Sequence, residues 1–396
     1  MSAELDQGPA RVEAIDLLRG LAMVFMALDH VRDYFTGLAF EPENLELTSL
    51  PLFFTRWVTH FCAPLFFFLA GTGAWYYGRR HTPGELSAFL AQRGALLVLL
   101  EFTLIDFAWT FVAPWGFFGV IASLGASMLL LALVVRLPLR VVAIGSLAIV
   151  ALHDLLDGFR PAGPSLGASI WGLLHVKGGI ALGDLRLFVL FPIVPWCAVM
   201  AAGYAFGALL ERPDRRKWVL RIGLAATALF VFLRATNLYG NPPALPGGVT
   251  PGDFHRQPTV AQSVILFLDT EKYPPSLQFL LMTLGPALLL LGAAVDRPLP
   301  RLVRPIVVFG RVPLFFYVLH LYLIHGLAIA VALTLGQPHD WLLHGAFWFH
   351  DLPAGYGHDL PFVHAVWLAV VAALYLPCRW FADLKRRRRG GWTSYL

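Results

Sequence analysis

Polar residues recur at three- and four-residue intervals through an otherwise apolar stretch near the start of the chain, RVEAIDLLRGLAMVFMALDHVRDYF, residues 11–35. At that spacing Asp16, Arg19, Met23, Met26, His30 and Asp33 share one face of a helix. Arg19 and His30 lie on one stripe, with roughly 16 Å of rise between them. Further apolar runs follow, and the pattern predicts ten membrane-spanning helices near 15–37, 52–77, 94–113, 117–135, 140–155, 186–210, 217–235, 276–295, 306–331 and 362–382. Each is of the length a bilayer requires. Ionisable residues are expensive in such spans and face the bundle interior or a wet cavity. The bland alternative is a snorkelling Arg19 and a His30 that is merely hydrogen-bonded.

Composition changes the picture in one respect. At 396 residues the chain is long enough for two or three soluble domains, but it is 58% hydrophobic and only 14% charged. The expectation is therefore an all-α polytopic membrane protein forming one domain over 1–396. Residues 1–14 are an N-terminal segment without the basic start of a cleaved signal, and 383–396 form a basic tail.

The net charge of +5 matters less than its placement. With the N-terminus inside, alternate short loops collect Arg79, Arg80, Arg136, Arg140, Arg212, Arg215, Arg297 and Arg301, together with the tail KRRRRGG. Few basic residues fall in the other segments. This asymmetry predicts that both termini are cytoplasmic and argues against nucleic acid as a partner. The tail would anchor the last helix on the anionic leaflet. Cys62, Cys197 and Cys378 fall in separate apolar runs and read as buried small hydrophobes.

Candidate chemistry gathers in the outer half of the bundle. On the second span Arg56 and His60 share a face at the depth of Asp29, His30, Arg32 and Asp33. An interhelical salt-bridge network is the structural reading of that cluster. On the third span Glu101 and Asp106 are five apart and should point to different faces. They would suit a proton-coupled transporter or flippase of a polar solute, which is the alternative function. On the ninth span Tyr317 and His320 share a face, with Arg311 near the inner surface. Lys272 precedes Pro274 and Pro275, which suit the first turn of the next helix. His339, His344, His350, His358 and His364 are too scattered for a metal site, and no metal is expected. The glycine, nucleotide and metalloprotease signatures of soluble enzymes are absent.

Four segments in order, DLLRGLAMVFMALDH, THFCAPLFFFLAGTGAW, KYPPSLQFLLMTLGP and FGRVPLFFYVLHLYLIH, resemble the bacterial relatives of heparan-alpha-glucosaminide N-acetyltransferase. The resemblance covers nearly the whole chain. Arg19 and His30 also resemble the arginine–histidine pair of membrane O-acyltransferases that decorate surface polysaccharides. The resemblance implies an enzyme of the bacterial plasma membrane that takes an acyl group from acetyl-coenzyme A inside. It would deliver that group to a hydroxyl or amine of a sugar or glycan outside. It also implies that Arg19 meets the donor and that His30 is the acid–base residue.

Acyl transfer needs a base, a donor route and polarisation of the carbonyl. His30 would act as base oriented by Asp29 or by a carboxylate on another helix, with His60 or Arg56 stabilising the oxyanion. Arg19, Arg93 and Arg311 would hold the donor's phosphates, and Arg56, His320, Lys272 and Glu41 would meet the acceptor. One departure stands out. The lysosomal enzyme has a reactive histidine in the luminal loop after the first helix, whereas here that loop reads LAFEPENLELTSL and contains none.

Overall fold

The computed structural model describes residues 13–38, 40–112, 116–161, 163, 165–241, 251–343 and 352–388. Arg11, Arg389, His344 and His350 lie outside them. The polar-striped stretch forms α1, Glu13–Phe35. Its apolar back does not face lipid: residues on every side of it are buried, because α1 is the hub of the bundle. Around it pack α3 (Cys62–Gly78), α12 (Leu277–Ala294), α13 (Arg304–Arg311), α14 (Pro313–Leu335) and α15 (Leu360–Arg387).

The second span is α2 (Leu50–Trp57), a 3₁₀ turn at Val58–Phe61, and α3 in continuous succession. Further along come α4 (Pro83–Leu100), α5 (Asp106–Thr110), α6 (Val120–Val134), α7 (Leu139–Leu152), α8 (Leu166–His175), α9 (Ile193–Leu209), α10 (Arg215–Thr236) and α11 (Val260–Leu268). Among the described residues seven helices are long and apolar enough to cross a membrane, while α6 and α9 are shorter apolar helices. The start of α1 and the end of α15 lie at one end of the bundle, called here the terminal end. The opposite end carries the longer connections and is called the loop end.

Two departures from an all-helical bundle have local causes. A small sheet sits between helices, with β1 (Phe117–Phe118) parallel to β3 (Leu185–Val189) and β3 antiparallel to β2 (Gly178–Leu182). The span expected to begin at 186 therefore begins as a strand, and its helix starts at Ile193. Phe118, Val189 and Ile193 form a second apolar cluster beneath the sheet.

The other departure is a π turn at Glu101–Ile105, where the N–H of Asp106 donates to the carbonyl of Glu101. A π turn brings residues five apart onto one side, so Glu101 and Asp106 do not diverge. Both are fully buried. Glu101 Oε2 accepts the N–H of Ala122 at 2.6 Å and caps α6, which lacks a side-chain cap of its own. Asp106 Oδ2 accepts the N–H groups of Gly116 and Phe117.

Close approach fixes the pairing of α3 with α9. A Cβ on Gly71 would lie 1.9 Å from the Met200 carbonyl oxygen, and one on Gly203 would lie 2.0 Å from that of Phe68. The Thr72 hydroxyl donates to Gly203 O at 3.0 Å across the contact. Small residues at such positions let backbones meet. Gly71→Val should therefore push the two helices apart and lower the midpoint of thermal unfolding in detergent. Gly73→Ala, where a Cβ meets nothing within 4 Å, should leave that midpoint unchanged. Equal melting of the two variants would refute the close-packing account.

Candidate active site

At the loop end a cavity of about 910 Å³ opens beside α1 and α2. His30 reaches it from the middle of α1, with its ring edge-on to Trp109 at 4.7 Å. Behind it, His320 on α14 is fully buried and absent from the cavity wall. His320 Nδ1 lies 3.1 Å from the carbonyl of Phe316, which can only accept, so that nitrogen carries the proton. His320 Nε2 is then a bare acceptor, 2.7 Å from His30 Nδ1. His30 accordingly holds its proton on Nδ1 and keeps a lone pair on Nε2. His320, rather than Asp29, is thus the side chain in hydrogen-bond contact with the His30 ring, and it stands behind the cavity wall rather than in it.

Asp29 is engaged elsewhere. Its two oxygens accept from Arg56 Nη1 at 3.0 and 2.7 Å, and Arg32 Nη2 lies 2.9 Å away. Arg32 also pairs with Asp33 at 2.5 Å. Arg56 extends its Nε to Glu43 at 2.9 Å, and His60 Nε2 is 3.4 Å from the same carboxylate. Burial by itself would raise the Glu43 carboxyl, but Arg56 and the hydrogen bond from His60 outweigh it and hold the group below the usual carboxylate range. Arg56 is thus committed to two carboxylates, and His60 spends its Nε2 proton on one of them.

Glu41 is exposed at the rim, and Lys272 is buried in the wall with its ammonium 5.1 Å from the Tyr273 ring. Asp269 and Glu271 also line the cavity. Burial pushes the Asp269 carboxyl up to about 7 and raises Glu271 as well.

A second cavity, about 720 Å³, enters from the terminal end. Arg19, Arg93 and Arg311 all line it, joined by Lys385 and Arg386 at the end of α15. The tail residues thus border a cavity as well as being suited to anchoring. Arg19 is held by Asp16 and by the carbonyls of Gly310 and Leu69, at 3.3, 3.3 and 3.4 Å. Arg311 pairs with Glu13 at 3.3 Å. Arg93 Nε has no hydrogen-bond partner among the described residues. Phe66, Val120 and Tyr317 line both cavities, so the two meet back to back at these side chains. The Tyr317 ring centroid is 6.3 Å from that of His30.

A family model described as heparan-alpha-glucosaminide N-acetyltransferase, catalytic, matches residues 11–239, more than half of the chain. The chain belongs to the heparan-alpha-glucosaminide N-acetyltransferase family. No curated protein matches it. Membership makes the chain an integral membrane protein of an acetyltransferase family, in keeping with its apolar helices. The matched region runs from α1 through α10 and contains Arg19, Asp29, His30, Arg56, His60 and Arg93. Lys272 and Arg311 lie beyond it and line the loop-end and terminal-end cavities, and His320, also beyond it, stands behind His30. The residues that spacing did not disclose are Tyr317 as a shared wall, Asp269, and the tail pair Lys385 and Arg386. The first was visible only as a neighbour of His320, and the tail pair only as charge.

Proposed function

We propose that this acetyltransferase takes an acetyl group from acetyl-coenzyme A bound in the terminal-end cavity. It passes that group to a hydroxyl or amine of a sugar or glycan in the loop-end cavity. The terminal end faces the cytoplasm of a bacterial cell, a direction the basic short loops support, and the loop end faces outward across the plasma membrane. All ten apolar segments cross the bilayer in this arrangement. The observation that carries the reading is the shared wall of Phe66, Val120 and Tyr317 between two cavities of opposite entry, with His30 beside it.

The terminal-end cavity suits the donor. Its volume lies within the roughly 300–1,000 Å³ typical of small-molecule sites, and arginine forks suit phosphate groups. Arg93 brings an Nε that is otherwise unsatisfied. The donor would supply an activated acetyl thioester. His30 Nε2 accepts the proton of the attacking hydroxyl or amine as the new bond to the acetyl carbon forms, and His320 steadies the resulting imidazolium through Nδ1. The proton on His30 then passes to the departing thiolate. Glu101 and Asp106, which would support a transporter, each commit one carboxylate oxygen to backbone N–H groups.

The test is transfer across a sealed membrane. Protein in proteoliposomes, with labelled acetyl-coenzyme A on one side only, should label an amino sugar on the other. Arg93→Gln should raise KM for the donor about tenfold, the scale of one lost charge-assisted hydrogen bond, with kcat little changed. Label appearing only when both substrates share a side would remove the two-cavity reading. Sugar uptake without any acetylation would favour transport.

A further inference from the structure

Three side chains that the acetyl-transfer chemistry leaves unused converge at the loop end. His153 follows the last turn of α7, Asp157 comes four residues later, and His175 is the last residue of α8. One ligand atom from each lies within 4.8 Å of the others. His175 Nε2 is 3.0 Å from Asp157 Oδ1, and the two imidazole centroids are 5.7 Å apart. His153 is only 2% exposed and His175 only 1%.

We propose that His153, Asp157 and His175 bind one zinc-class divalent cation in the wall of the loop-end cavity. The first argument is unmet bonding. Among the described residues Nδ1 of His175 has no hydrogen-bond partner, and neither ring nitrogen of His153 makes a well-formed hydrogen bond. His153 Nδ1 has Asp154 Oδ1 at 3.4 Å, and the backbone of Pro275 lies within reach of the same ring. Two buried imidazoles with idle nitrogens carry a real desolvation cost, and a bound cation removes it.

The second argument is donor chemistry. Two imidazoles and a carboxylate form a set that zinc accepts, with three protein ligands and a fourth position open. Ligand atoms about 2.0–2.1 Å from such an ion stand roughly 3.3 Å apart in a tetrahedron. The His175–Asp157 pair is already near that separation at 3.0 Å, and a His153 nitrogen lies within 4.8 Å of both.

The surroundings hold these ligands in place. The Trp171 ring lies against His175 at 5.1 Å, and Asp154 Oδ2 accepts the N–H of Leu277 at 3.0 Å, fixing the turn that carries His153 to the start of α12. Asp157 itself lines the cavity, as do its neighbours Gly158 and Arg160. The ion would therefore tie α7, α8 and the cavity wall together, and its open position would take water or an oxygen of the acceptor.

Full-length protein with a histidine-free affinity tag, stripped with chelator and placed in lipid nanodiscs, should take up one zinc ion per chain by mass spectrometry of the metal. Cobalt(II) should give the intense visible absorption of a tetrahedral site. Zinc should also raise the unfolding midpoint of the wild type. His153→Ala, His175→Ala and Asp157→Asn should each lose the ion and the shift, whereas His339→Ala, half-exposed elsewhere, should keep both. If the stripped wild type takes up no zinc, the proposal falls even when none of the variants folds. Equal uptake by the three variants and the wild type would also overturn it. Acetyl transfer enters none of these readouts, so the site and the proposed function stand or fall separately.

Discussion

His30→Gln should lower acetyl transfer by about 10²–10⁴-fold, the usual contribution of a general base. Glutamine keeps much of the volume of the ring and can still donate to His320, so the fold and the terminal-end cavity should be preserved. It offers no basic lone pair where Nε2 of His30 stands. Donor affinity should be unchanged, because Arg19, Arg93 and Arg311 line the other cavity. His320→Phe should act indirectly: without the acceptor at 2.7 Å, the proton on His30 is free to move to Nε2. That variant should lose part of its rate with its KM for both substrates intact. Steady-state kinetics of purified variants with normal melting curves decide the matter. A His30→Gln protein with wild-type turnover would transfer the base role to another group on the same wall, with Asp269 and Glu41 the nearest choices in chemistry.

Arg56→Ala should be the most damaging single change to stability. It removes the shared partner of Asp29 and Glu43 and leaves two carboxylates in a wall where their side chains are only 13% and 22% exposed. Breaking a buried ion pair from one side costs about 3–5 kcal/mol, and the residual exposure here favours the lower part of that range. Arg56→Lys should recover part of the loss, since an ammonium supplies charge without the two-pronged fork.

Acid should reveal the same arrangement. Glu43 is held below the usual carboxylate range in the fold. Its contribution is complete above the range in which an unfolded glutamate titrates, and it is lost as pH falls toward the folded value. Melting midpoints of the wild type in detergent should therefore fall on acidification, and the Arg56→Ala protein should show much less of this dependence. Parallel curves would show that the pairing contributes little.

The residues that sequence reading grouped together and the fold also brings together share a physical property. The α1 stripe was legible because helical periodicity repeats over six positions, and a charge in an apolar run has few structural alternatives. Arg93 and Arg311 could be set at the same depth as Arg19 from the alternation of basic loops alone. The rest depended on contacts that sequence distance hides. His153 and His175 are separated by a loop and a short helix, and nothing in their spacing marks them as neighbours. The β-strands are two to five residues long, and a span reading absorbs such segments as apolar helix. The position of His320 behind His30 follows from how α1 and α14 are rotated against each other. Periodicity gives the face of a helix but not the face it meets.

The π turn between α4 and α5 carries a consequence for how this chain tolerates changes of length. Such a turn is an α-helix with one residue too many. The turn absorbs that residue, so the segments on either side keep nearly the phase they would have in a plain α-helix. Deleting one of residues 102–105 would restore regular hydrogen bonding and leave the Asp106 carboxylate on the side of Glu101, four residues on instead of five. A deletion in the regular turns of α4 or α5 has no such slack and rotates one side of the rod by about 100° against the other. Losses that look equivalent in an alignment of apolar spans are therefore not equivalent here.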